Sequence, residues 1–192
     1  MKNHNIISTA LLVFVLLLAA CAHPPVEEMN LAHDAVFRAE NDANAVTHAG
    51  PVLTRARDAL TRMQSEADAR RFDAARDFAA EAVSLAERAI ADGRTGAARA
   101  RDEATNIITA LNNQLAEVTR ALSAAEQARN LNIDYDTLSR DLDAARRSEE
   151  AARQNFAAGH YGDATIWAQN GRALLSDMNA RLNQAAQAAV RK

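Results

Sequence analysis

Apolar side chains recur every three or four residues along most of this chain, which is the spacing of one face of an α-helix. One run alternates spacings of four and three for three heptads and predicts a helix from Thr95 to about Asn130. This run comprises Ala104, Ile108, Leu111, Leu115, Val118, Leu122 and Ala125. It fits the core of an antiparallel bundle or a self-association surface, and short loops that supply partners within the chain favour the bundle.

Glycine, proline and polar clusters divide the rest of the chain into further helices. Gly50-Pro51 is expected to end the first helix and start the second, because proline is favoured in a first helical turn. Gly93 is expected to stop the third helix, and Asp163 to cap the sixth after a turn at residues 159–162. The predicted helices cover residues 27–48, 51–69, 73–92, 95–130, 136–158 and 163 onward.

A faint internal repeat relates two parts of the chain. Leu53 recurs as Leu138, 85 residues later. The trio Phe72, Ala75 and Ala79 recurs 89 residues later as Tyr161, Ala164 and Ala168. Small side chains after an aromatic ring let two helices approach closely while the ring fills the hairpin end. This pattern resembles the helix hairpins of tetratricopeptide repeats, although the period of that family is missing.

These patterns together predict an all-α fold. We expect an elongated antiparallel helical bundle of two related three-helix units with helix-hairpin packing. The first unit covers residues 27–93, and the long heptad helix with the second unit covers residues 94–192. Scattered β-branched residues and few aromatics leave no convincing strand.

The first 20 residues have the anatomy of a signal peptide. Lys2 precedes an almost uncharged apolar run from Ile6 to Ala20, which ends in small residues before Cys21. The run is short for a membrane span. Leu18-Ala19-Ala20-Cys21 resembles the lipobox of bacterial lipoproteins. That resemblance implies cleavage before Cys21 and acylation of its sulfur and amine.

Lipidation at Cys21 implies an address in the cell envelope, and an ordinary secretory leader is the alternative. Ala22 differs from the aspartate that retains enteric lipoproteins in the inner membrane, so the resemblance favours the outer membrane, facing the periplasm. Residues 21–26, with Pro24-Pro25, are expected to be a short stiff spacer. From Pro24 to Gly93 the chain resembles a domain-of-unknown-function family of Ala-rich helical envelope lipoproteins, and this family supplies no activity.

Charge and motif content argue against several classes of function. The net charge is −3, without a basic stripe, so nucleic acid is not an expected partner. The histidines lie on separate elements and the single cysteine is assigned to lipid, so neither a metal site nor a cofactor is predicted. No nucleophile motif, phosphate loop or dinucleotide fingerprint occurs. We therefore expect no enzyme activity.

Three residues remain as candidates for contacts. Tyr161 and Trp167 are expected to close the core of a hairpin, with a partner or ligand contact as the alternative. Lys192, the last residue, follows Arg191, and this ending resembles the tail of murein lipoproteins, whose terminal lysine is joined to peptidoglycan. The same ending also fits the cations that favour helix C-termini.

The predicted function is a lipid-anchored helical scaffold or protein-interaction module of the cell envelope. Its partners would be membrane lipid, through acylated Cys21, and an envelope protein of unknown identity. A structural tether between membrane and peptidoglycan is the first alternative. A helical carrier or accessory protein for a small ligand is the second.

Overall fold

The computed structural model describes residues 23–128 and 131–190. All regular structure in these ranges is helical, so the predicted all-α fold of packed helices is confirmed. The helices are α1 Val26–Glu40, α2 Ala43–His48, α3 Gly50–Asp68, α4 Phe72–Ala128, α5 Tyr135–Ala157 and α6 Tyr161–Val190. The predictions for residues 1–20, Cys21 and Lys192 lie outside the described residues.

The chain divides into two compact units, one up to Gly96 and one from Ala97. Helices α1, α2 and α3 and the first part of α4 belong to the first unit. The rest of α4 belongs to the second unit with α5 and α6. Each unit has its own cluster of buried apolar residues.

The core of the first unit is built mostly of alanine. Eleven of the fifteen residues in its buried cluster are alanine, and the larger members are Val36, Leu53, Met63 and Leu85. Small side chains at helix contacts allow the backbones to approach closely. The helices of this unit therefore pack at short range, with little side-chain volume between them.

Gly93 lies inside α4, so the prediction that it stops a helix is wrong. A Cβ atom added to Gly93 would lie 2.5 Å from the backbone nitrogen of Ala45, and one added to Gly96 would lie 2.5 Å from the Cβ of His48. Both glycines therefore make room for α2. An isolated glycine in a helical pattern can mark either a helix end or a close contact between helices, and the sequence alone does not distinguish the two.

The predicted first helix is also interrupted. It ends at Glu40, and α2 begins after Asp42, whose carboxylate accepts a hydrogen bond from the Ala45 amide at 2.9 Å. Aspartate at this place satisfies one of the unpaired amides of a helix start. The short α2 is thus a separate element that packs on the Gly93 turn of α4.

The core of the second unit uses larger side chains. Leucine, valine or methionine make up eight of the twelve residues in its buried cluster. On α4, Leu111 and Val118 are buried and Leu115 is partly buried, so the heptad positions face this core. Helices α5 and α6 run antiparallel, since Asp141 meets Arg181 while Ser148 lies beside Gly171.

The turns that precede α4 and α6 share one hydrogen-bonding pattern. The Arg71 amide donates to the carbonyl of Glu66 at 2.9 Å, and the His160 amide donates to the carbonyl of Asn155 at 2.9 Å. Both bonds span five residues, as in the Schellman motif that ends many helices. The repeat seen in the sequence therefore corresponds to two turns of the same type.

Each of these turns contains one residue in the left-handed conformation, two residues before the aromatic that begins the next helix. That residue is Arg70, with φ 57°, before Phe72 and Gly159, with φ 80°, before Tyr161. Because α6 already begins at Tyr161, Asp163 lies in its first turn, and the prediction that Asp163 caps this helix is wrong.

Candidate interaction surface

Trp167 is exposed on α6 rather than buried in the hairpin core. It keeps 44% of its surface accessible, and the neighbouring Ile166 keeps 56%. Ala164 and Ala168, on either side, are fully buried. The expectation that the Trp167 ring closes the core is therefore wrong, and two large apolar side chains stand next to each other on the outside of the second unit.

The buried stripe of α6 explains why Trp167 is outside. Its members follow the spacing of four and three, and they are Ala164, Ala168, Gly171, Leu175, Met178 and Leu182. Adjacent residues of an α-helix point about 100° apart, so Trp167 is turned away from Ala168. A Cβ on Gly171 would lie 3.0 Å from a methyl group of Leu111, so the helices are already in close contact along this stripe.

We define the Trp167 face by five exposed residues of α6, which are Asp163, Ile166, Trp167, Asn170 and Ala173. The last four residues follow Asp163 by three, four, seven and ten positions, which puts all five on one side of the helix. The face has an apolar centre with a carboxylate and an amide beside it. Interface hot spots commonly have this composition, with an aromatic anchor among polar groups.

Tyr161 has a different environment from Trp167. Its ring packs edge-to-face on Phe156, with ring centroids 5.3 Å apart and planes at 62°. Six residues separate Tyr161 from Trp167, which corresponds to about 120° around the helix axis. The two predicted contact residues are therefore not brought together, and Tyr161 closes the end of the α5–α6 hairpin.

Phe37 is an exposed aromatic residue that the sequence analysis missed. It lies on α1 with 65% of its surface accessible. It borders a shallow groove of about 420 Å³ that Leu60 also lines, and Arg57 pairs with Glu40 there at 2.6 Å. The signal was available in the sequence, because Phe37 directly follows Val36 of the buried stripe and so falls off that stripe.

In the second unit, the charged groups with shifted pKa values stabilise helices, one by joining α5 to α6 and one by capping α5. The Arg181 guanidinium donates to Asp177 in its own helix and to Asp141 of α5 at 2.8 Å, and both carboxylates raise the pKa of Arg181. Asp134 caps α5 by accepting from the hydroxyl and the amide of Thr137. These two hydrogen bonds lower the pKa of the Asp134 carboxyl.

Among residues 23–128 and 131–190, no three His, Cys, Asp or Glu side chains lie close enough together to hold a metal ion. No helix in this part of the chain combines the length and the apolar character needed to cross a membrane. The exposed large apolar side chains of the described second unit are Ile166, Trp167 and Val190.

The comparison with protein families supports one part of the resemblance stated from the sequence, which is the similarity to a domain-of-unknown-function family. Residues 27–105 match a family described as a domain of unknown function, DUF4398. This match covers the helices of the first unit and extends to the middle of α4. A search of the curated proteins finds no match, and neither does a search of the solved structures.

Proposed function

We propose that this chain is a lipid-anchored helical protein-interaction module of the cell envelope, whose protein partner binds the Trp167 face. The observation that carries the proposal is the exposure of Trp167 beside Ile166 on a helix whose other large apolar residues mostly face the core. Tryptophan is among the residues most enriched in interface hot spots. The face lies within one regular helix, so its backbone needs no folding on binding.

A partner would bury two large apolar side chains of this face, Ile166 and Trp167. Fully burying a large apolar side chain contributes about 1.5–3 kcal/mol, and a hot-spot residue contributes about 2 kcal/mol or more when truncation is measured. Asp163 and Asn170 supply hydrogen-bonding groups beside the apolar centre. A partner with an apolar groove and a donor opposite Asp163 fits this surface.

The lipid anchor in this proposal rests on the lipobox at Leu18-Ala19-Ala20-Cys21. Several acyl chains bind a bilayer far more firmly than one, because each buried CH₂ adds about 0.8 kcal/mol. We expect the Cys21→Ser variant to leave the detergent phase in detergent partitioning, where the unchanged chain enters it. Equal partitioning of both proteins would contradict lipidation.

Crosslinking in whole cells tests the Trp167 face. A photoreactive residue at Ile166 is compared with one at Leu31 of the first unit, which is exposed to nearly the same extent, 57%. We expect one defined crosslinked protein from position 166 and none of that mass from position 31. The Trp167→Ala variant should lose this crosslink while its circular dichroism stays unchanged. A crosslink that survives Trp167→Ala would contradict the proposal.

Two further measurements, copurification with peptidoglycan and native mass spectrometry, would identify the alternatives. If position 166 gives no crosslink and the chain copurifies with peptidoglycan unless Lys192 is replaced by arginine, the chain is a tether. If native mass spectrometry instead shows a bound small molecule that Trp167→Ala releases, the chain is a carrier. Either result would replace the interaction module as the function.

A further inference from the structure

His23 contacts α4 at the start of the first unit. The carbonyl oxygen of His23 accepts a hydrogen bond from the Arg76 guanidinium of α4 at 3.3 Å. Arg76 is held in turn by Asp73 at 2.7 Å and by Glu28 of α1 at 3.6 Å. The Arg76 guanidinium therefore links the start of α4 to the start of α1 and to the carbonyl of His23.

The two prolines belong to this folded end and do not form a free spacer. Pro25 is buried, and its carbonyl accepts from the Met29 amide at 3.0 Å, so α1 follows directly at Val26. The carbonyl of Pro24 accepts from the Val26 amide at 2.9 Å. Residues 23–26 of the predicted spacer are therefore part of the folded start of the first unit.

The covalent reach of the chain then limits where a lipid on Cys21 can be. Two residues of polypeptide span at most about 7 Å, even when fully extended. Cys21 precedes His23 by two residues. The Cα atom of an acylated Cys21 is therefore at most about 7 Å from that of His23, so only the Cys21 side chain and the attached lipid add to the distance between the end of the first unit and the bilayer.

We propose that the end of the first unit formed by Pro24, Val26 and the turn at Arg70 and Arg71 lies on the surface of the phospholipid bilayer. This inference rests on the proposed lipidation of Cys21. Phe72 begins α4 one helical turn before Arg76, so the Arg70 turn is at the same end as His23. The opposite end of the unit, with α2, then points away from the membrane.

Apolar and cationic groups are exposed at this end, next to the carboxylates of Glu27 and Asp68, which make no ion pair among the described residues. Val26 is 58% exposed, and Pro24 and Arg70 are also exposed. Arg70 makes no ion pair among the described residues, and guanidinium groups bind phosphate oxygens well. Two carboxylates of this end, Asp73 and Glu28, are already paired with Arg76, which reduces their repulsion of lipid phosphates.

Two exposed valines of the first unit, Val26 and Val46, provide a matched pair for a test. Val46 of α2 is 52% exposed, close to the value for Val26. Its neighbour Ala45 contacts α4 at Gly93, 17 residues after Arg76, which is about 25 Å along the helix. Val26→Cys and Val46→Cys each introduce one reactive thiol into a protein whose own cysteine is acylated.

The experiment uses the full lipidated chain in phosphatidylethanolamine–phosphatidylglycerol vesicles that contain a lipid with a nitroxide on its headgroup. A fluorophore at position 26 should be quenched severalfold more strongly than one at position 46. Equal quenching, or stronger quenching at position 46, would overturn the proposed orientation. If the chain does not enter the detergent phase at all, the lipidation is wrong, and this inference is wrong with it.

A linker insertion tests whether the short connection causes the contact. A flexible Gly-Ser segment of about ten residues between His23 and Pro24 adds a mean reach of about 17 Å. The variant should still enter the detergent phase, but the difference in quenching between positions 26 and 46 should largely disappear. A difference that persists unchanged would support the contact of this end with the bilayer and would show that its exposed groups, and not the short connection, cause it.

Discussion

The first unit buries alanine where the second buries leucine. Its cluster has only four residues larger than alanine, against eight in the second unit. In the first unit α2 touches the backbone of α4 at Gly93, whereas Gly171 of the second unit lies against side chains of Leu111 and Ser148. Close approach of backbones therefore stabilises the first unit, and buried apolar volume stabilises the second. Added side-chain volume should therefore destabilise the first unit, and removed side-chain volume should destabilise the second.

Removing volume from the second unit should have the largest effect. Leu111 is fully buried in the second cluster. The Leu111→Ala variant should lose about 2–5 kcal/mol of unfolding free energy, because a cavity remains. Urea unfolding measures the loss, and hydrogen exchange should locate it in residues 97–128 and 135–190. Leu31→Ala, at an exposed leucine, is the control and should change stability by less than about 0.5 kcal/mol. Similar losses in both variants would break the comparison.

Adding volume to the first unit should have the next largest effect. Overpacking in Gly93→Ala should cost about 3 kcal/mol, because the added Cβ would lie 2.5 Å from backbone, and a gain of about 1 kcal/mol in helix propensity leaves a net loss of about 2 kcal/mol. Gly171→Ala should cost less, since side chains can move by a few tenths of an ångström and backbone cannot. Gly162 has open space around it, so Gly162→Ala is the control and should not destabilise. Hydrogen exchange in α2 is the measurement, and protection there as in the unchanged chain would contradict the packing argument.

The two left-handed turn residues should respond with opposite signs. Arg70→Gly should stabilise the first unit by about 0.5–1 kcal/mol, because an L-residue other than glycine is strained at this φ. Gly159→Ala should destabilise the second unit by about 1 kcal/mol for the same reason, since no atom lies within 4 Å of the added Cβ. Thermal unfolding followed by circular dichroism measures both. Changes of the same sign would mean that the two turns are not equivalent.

The smallest effect concerns pH and the cap of α5. Hydrogen bonds from Thr137 lower the pKa of Asp134 in the folded chain. A lowered pKa gives stability that is present at neutral pH and is lost as the pH falls through that pKa. Asn at this position still caps but does not titrate. The difference in unfolding free energy between the unchanged chain and Asp134→Asn should therefore shrink as the pH is lowered from neutral into the acidic range. A difference independent of pH would assign no role to the charge.

Helical periodicity was sufficient to predict the fold class, because apolar spacing depends only on which residues face the core. The heptad run is an example, since Leu111 and Val118 are buried as such a pattern requires. Glycine was harder to interpret. The same residue type stops a helix, permits close packing at Gly93 and adopts a positive φ at Gly159, and only the neighbours in space distinguish these uses.

The candidate surface was only partly predictable. The residue type alone marks Trp167 as a candidate, but its side of the helix follows from the buried stripe of small residues Ala164, Ala168 and Gly171. Tyr161 was grouped with Trp167 by proximity in sequence, although a separation of six residues puts them on different sides of α6. The exposure of Phe37 follows in the same way from the buried stripe of α1, to which Val36 belongs and Phe37 does not.

Because the two cores differ in composition, the stability of the two units should depend differently on temperature. A buried alanine loses no rotamer entropy, whereas each leucine loses about 0.5–1 kcal/mol in ordering. The first unit thus orders its core at little entropic cost and also releases less water from apolar surface. The heat capacity of unfolding grows with exposed apolar area, so the stability of the first unit should vary less steeply with temperature. Hydrophobic stabilisation weakens on cooling, and the leucine-rich second unit is therefore the part of the chain more sensitive to cold.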